Sequence, residues 1–127
     1  MASFKIAQNA TFKKEVEIPR VGADPISVEF EFKYRDRNEL SVMFDKWNAA
    51  REATVAEATK DGSTWEETTA AEIKLQASQM KDIVVGWAFD DAFTEEAIVD
   101  LVTACVGAPA AVIDAYQKAY EVARRGN

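Results

Sequence analysis

The residues with the greatest chemical potential lie in one stretch, Trp87-Ala-Phe-Asp90-Asp91-Ala-Phe-Thr94-Glu95-Glu96. Four carboxylates so close together could supply the oxygen donors that Mg²⁺ or Ca²⁺ prefers, although the spacing is not that of an EF-hand loop. Acidic residues at the start of a helix are also what the helix dipole favours. The structural reading therefore comes first for these acids, a partner-binding patch second, and no metal site is assigned. Trp87 stands beside Gly86, outside the clear helical patterns and just ahead of the acids. An aromatic side chain in that setting is a candidate interface anchor. Trp87, Asp90, Asp91, Glu95 and Glu96 are taken as the candidate partner-binding residues.

Other routes to chemistry are closed by composition. The chain has no histidine and one cysteine, Cys105. Ser-His and Cys-His nucleophile systems, imidazole ligands, an intrachain disulfide and cysteine-based zinc or iron–sulfur sites are thereby removed. Cys105 falls on the inner face of a predicted helix with Ile98, Leu101 and Val102, where a thiol acts as a small hydrophobe. Tyr116 and Tyr120, one helical turn apart, could stack on a ligand ring but read first as core. The five glycines, at 22, 62, 86, 107 and 126, are isolated, so no phosphate-binding loop is present. No catalytic residue and no cofactor are expected.

With 22 acidic and 15 basic residues the net charge is -7, the wrong sign for neutralising phosphates, so nucleic-acid binding is not expected. The acidity is local, because residues 87 to 106 hold five acids and no base. There is no basic segment leading into an apolar run at the start, and no uncharged stretch of about 18 apolar residues. A soluble intracellular protein without membrane contact is the expectation. The length of 127 residues suits one domain, 1–127. A compact monomer of this mass exposes roughly 6,700 Å².

These residues must be positioned by an α+β fold: an N-terminal antiparallel β-hairpin, then about four helices arranged as a helical hairpin and two shorter C-terminal helices. Residues 26–34 alternate, with Ile26, Val28, Phe30, Phe32 and Tyr34 on one face. A weaker strand over about 11–18 is ended by Pro19, and the connection holding Gly22 and Pro25 reads as too long for a two-residue turn. Two strands are marginal alone, so a helix layer, or another copy's sheet in a homo-oligomer, must cover their apolar face.

From Asp36 the period becomes helical. Asp36 and Glu39 form a capping-box pattern, and Leu40, Met43, Phe44, Trp47, Ala50 and Val55 trace a helix over about 37–60, stopped at Gly62. Thr64 and Glu67 repeat the start signal for a second helix whose face is Trp65, Thr69, Ile73, Ala77, Met80 and Val84. Residues 83–89 fit either the end of this helix or a short extended segment. Thr94 caps a third helix over about 95–105, with Phe93 and Ile98 as a hydrophobic staple. Gly107 ends that helix. Pro109 opens a fourth, with Val112, Ile113, Tyr116, Ala119, Tyr120 and Ala123 inward and Arg124 and Arg125 at its C-terminal end.

Two groups of segments, taken in order, carry a resemblance. The first is Phe12-Lys13-Lys14-Glu15-Val16-Glu17-Ile18-Pro19 followed by Val28-Glu29-Phe30-Glu31-Phe32-Lys33-Tyr34-Arg35. The second runs from Gly86-Trp87 through Asp90, Asp91 and Phe93-Thr94 to Ala115-Tyr116 and the closing Ala123-Arg124-Arg125-Gly126-Asn127. Together they resemble a tail assembly chaperone family of tailed bacteriophages and prophages, over roughly two-thirds of the chain. Residues 48–80 carry no motif of that family. Where the family tends to Pro-Gly-Ala between the last two helices, this chain has Gly107-Ala108-Pro109, which leaves that turn's conformation open. The resemblance implies a non-enzymatic assembly factor in the cytoplasm of the bacterial host. Its partners would be the tape measure protein, which it would keep soluble, and the tail-tube protein, whose loading it would assist. The alternative is a permanent structural protein of a phage tail or tail-like particle.

Overall fold

A computed structural model describes residues 4–126. Its elements are β1 (Thr11–Arg20), β2 (Ala23–Lys33), α1 (Arg37–Ala58), α2 (Trp65–Ile83), β3 (Val84–Trp87), α3 (Glu95–Ala104) and α4 (Ala108–Arg125). The strands form an antiparallel sheet in the order β1-β2-β3, so β2 is central.

Alternation in β2 buries Val28, Phe30 and Phe32 and leaves Ser27, Glu29 and Lys33 exposed. In β1, Val16 and Ile18 join the buried face. The opposite face is polar and open: Glu15 stands directly across from Glu29, and Ser27 donates to the Glu15 carboxylate. β1 does not stop at Pro19. The pairing shifts between Ile18 and Arg20 and continues to Arg20 opposite Ala23, as an edge strand can around a proline. The connection is consequently the two residues Val21 and Gly22, shorter than the sequence suggests. Gly22 has φ +74° and Val21 does not have positive φ, the φ pattern of a type II turn.

The ambiguous 83–89 segment resolves into the end of α2 and a third strand. Ile83 closes α2, Val84 is its C-cap and first strand residue, and Phe30 faces Trp87 across the β2–β3 pair. A helix layer covers the apolar face: α4 lies on β1 and beside α2, α2 lies on β2 and β3, α3 packs mainly on α2 and also touches α4, and α1 packs on α2. Phe30, Phe32, Ile18, Met80, Ile83, Ile98, Val112 and Tyr116 form the fully buried centre.

Caps set the helix starts. Asp36 accepts from Glu39 N at 2.8 Å while Glu39 accepts from Asp36 N at 3.1 Å, and Thr64 and Thr94 accept from Glu67 N and Ala97 N. α1 and α2 run antiparallel, joined at one end by Trp47–Asp82 and further out by Arg51–Glu72. Their faces differ from the predicted ones. Phe44, Val55, Trp65 and Thr69 are exposed, whereas Thr54, Thr68, Leu75 and Gln79 turn inward. Among the predicted α4 face residues, Ala123 is exposed.

Candidate functional site

Trp87 is held in place from three sides. Its backbone lies in β3 opposite Phe30, and its indole meets Phe30, Phe89 and Phe93 edge-on at 6.1, 5.1 and 5.0 Å. Its Nε1 donates to the Asp91 carbonyl at 2.8 Å, which folds the loop back over the ring. These bonds leave the indole half-buried, with one flank open. That flank lines a groove of about 290 Å³ together with Phe89, Asp91, Ala97, Asp100, Leu101 and Cys105. The floor is aromatic and aliphatic, and among the described residues the charged ones lining it are Asp91 and Asp100. Such a groove can take an apolar side chain from water and meet a cation at its rim.

Not all five predicted residues line the groove. Trp87 and Asp91 line the groove, while Asp90 and Glu96 are exposed and do not line it. Glu95 points away toward α2, where Lys81 Nζ lies 2.5 Å from its Oε1. That hydrogen bond, aided by the lysine's charge, lowers the Glu95 pKa. Glu95 borders a different depression, between α2 and α3, with Ile73, Lys74, Ala77 and Val99. Among the described residues no three Asp, Glu or Cys side chains converge as a metal-binding set.

Of the groove residues, the sequence singles out only Trp87 and Asp91 for binding. Asp100 belongs to the same base-free stretch and was legible as charge. Phe89 and Leu101 had no signal beyond hydrophobicity, since their meeting depends on β3 pairing with β2. Cys105 is half-buried, not fully inward, because α3 ends at Ala104 and Cys105 is its C-cap.

Tyr116 and Tyr120 have structural partners. Tyr116 is fully buried and donates to the Lys33 carbonyl at 2.9 Å. Tyr120 accepts from Arg35 N at 2.8 Å, and its proton is placed to reach Arg35 O at 3.1 Å. The two phenol oxygens are 3.2 Å apart. Burial foremost, then the bond to Tyr120, pushes the Tyr116 pKa far above its usual value.

The fold is α+β, a helix-covered antiparallel sheet with an acidic, apolar-floored groove beside β3. The sequence model for phage tail assembly chaperones matches residues 1–127, the whole chain, and the protein belongs to that family. No curated protein and no solved structure matches it. Among the described residues no single helix is long and apolar enough to cross a membrane.

Proposed function

We propose that the protein acts in the host cytoplasm by binding the tape measure protein, keeping it soluble and assisting the loading of tail-tube subunits around it. Family membership makes phage tail proteins the class of partner. The observation that supports the finer reading is the groove beside Trp87, in which an apolar floor is rimmed by Asp91 and Asp100 without a base. A long helical chain with exposed apolar side chains needs such cover to stay in solution. The carboxylates, extended by exposed Asp90 and Glu96, speed encounter with basic segments, while the floor holds them. Glu95, engaged by Lys81, contributes less to this field.

The test is a co-expression pull-down with the tape measure protein of the same phage or prophage. Reversing Asp90, Asp91 and Glu96 to lysine should weaken capture in a salt-sensitive way. Trp87→Ala should weaken it at any salt but also opens the core beside Phe30. Ala104→Arg, at an exposed residue lining the groove, fills the groove without touching the core. Folded variants that capture like the wild type would remove the groove from the interface, and a wild type that captures nothing would end the tape-measure reading.

A further inference from the structure

The chain exposes 9039 Å², about a third more than the roughly 6,700 Å² of a compact monomer of its mass. One contributor is the distal half of the α1–α2 hairpin. No residue from 48 to 74 is buried: the last buried side chain of α1 is Trp47 and the first of α2 is Leu75. Apart from Ile73, the partly covered residues there are mostly small, such as Ala50, Thr54, Ala58 and Thr68, and one ion pair, Arg51–Glu72 at 3.6 Å, joins the two helices. Isolated helices of this length are marginal in water, and of the large side chains in this stretch Ile73 alone packs against the core, near its proximal end.

At the far end stands Trp65, 89% exposed, with Val55 half-exposed on the other helix. Trp65 shares its helical angle with Ile83, five turns of 3.6 residues further on. Ile83 is covered by the core, whereas Trp65 lies beyond the reach of sheet and α4 and faces water. An indole so fully open is the side chain that most often anchors an interface. The charge around it is one-sided. Residues 48–74 hold six acids and three bases, and Arg51 and Lys60 are engaged by Glu72 and Glu57. Asp61 and Glu66, beside the tryptophan, have no cation partner among the described residues.

We infer that this arm is a second docking surface, anchored by Trp65, for a basic amphipathic helix. Net negative charge makes a second copy of the arm a repelled occupant and a Lys-bearing or Arg-bearing helix an attracted one. A pair of antiparallel helices offers the ridges and grooves against which a third helix packs. The surface shares no residue with the Trp87 groove, and the inference does not depend on the tape-measure reading.

The probe is a labelled synthetic peptide of about 20 residues with a leucine stripe flanked by lysines, with a glutamate-flanked counterpart. It is titrated against the full-length protein by fluorescence anisotropy. The lysine peptide should bind and slow amide hydrogen exchange across residues 48–74. Trp65→Ala should weaken binding at least about tenfold while moving the melting temperature by no more than about 2 °C. Asp61→Lys with Glu66→Lys should weaken binding most at low salt, and Ala104→Arg should leave it unchanged. Absence of binding, equal binding of the glutamate peptide, or unaltered binding to Trp65→Ala would each overturn the inference. So would loss of binding in Ala104→Arg alone, which would place the peptide in the Trp87 groove, or a dimer in sedimentation that Trp65→Ala dissolves.

Discussion

The Tyr120 hydroxyl reaches both backbone polar groups of Arg35, accepting from its N–H at 2.8 Å and lying 3.1 Å from its carbonyl. Arg35 sits between the end of β2 and the cap of α1, so one side chain of the last helix fixes the exit of the hairpin. Its guanidinium then reaches the Asp82 carbonyl at the end of α2, with Nη2 at 2.8 Å. Tyr120→Phe leaves the packing but strands the Arg35 N–H. It should cost about 1–3 kcal/mol in denaturant unfolding with an unchanged slope. A cost near zero would mean that water replaces the phenol.

Asp82 joins α2 to α1. Its Oδ2 accepts from Trp47 Nε1 at 2.7 Å, and Lys46 Nζ lies 3.1 Å from each carboxylate oxygen. Asp82→Ala strands a largely buried indole N–H and should destabilise by about 1–3 kcal/mol, with a shift in tryptophan emission. Asp82→Asn keeps an acceptor and should cost less. Equal losses in the two variants would show that the charge, not the hydrogen bond, matters.

The raised pKa of Tyr116 has a defined sign. Above the ordinary tyrosine value of about 10 the unfolded chain releases a proton that the folded chain retains, so stability falls as pH rises. The Tyr116 phenolate should therefore form only with unfolding. Tyrosinate absorbance and circular dichroism followed together test this, and Tyr116→Phe should remove one late-titrating phenol. A phenolate signal that Tyr116→Phe removes, formed while the fold is intact, would contradict it.

Gly107 serves a steric purpose. A Cβ built there would lie 3.0 Å from Pro19 Cγ and 3.1 Å from its Cβ, and the proline ring has little freedom to yield. The backbone φ of -85° is open to any residue. Gly107→Ala should thus destabilise by about 1 kcal/mol or more through crowding, measurable as a lower denaturation midpoint. A stabilised variant would show that α4 can slide on β1.

Cys105 lines the groove and is half-buried, so an aromatic disulfide reagent should label it in the native protein more slowly than after denaturation. Tape measure protein bound in the groove should slow labelling further. Unchanged labelling in the complex would place the partner elsewhere.

Features set by neighbours in sequence were legible before the structure was known. The Asp36–Glu39 box, the caps at Thr64 and Thr94, the alternation of β2 and the proline-led start of α4 depend on residues within a few positions. What depended on distant contacts was not. Period alone put Trp65 inward, on one face with Ile73, Ala77 and Met80, and nothing local reveals that the core stops before reaching it. β3 has four residues, too few for a period, and exists because Phe30 and Phe32 offer it an edge. The Val21–Gly22 turn was hidden by Pro19, whose bulge lets the strand run on. The candidate site was legible as a charged segment with an aromatic. Its separation into a groove bearing Asp91 and a Lys81-bound Glu95 was not.

The sheet's connectivity also orders the events of folding. Pairing of β1 with β2 closes only the Val21–Gly22 turn, whereas pairing of Phe30 with Trp87 must close the whole helical hairpin between them. Loop-closure entropy favours the first contact in time, and the second rewards the chain only after α1 and α2 have shortened the gap. Gly22→Ala, strained at positive φ, should therefore slow refolding, while Val84→Ala should chiefly hasten unfolding, both by stopped-flow fluorescence. The last strand to join is the one that carries Trp87, so a growing or stressed chain possesses its hairpin before it possesses its groove.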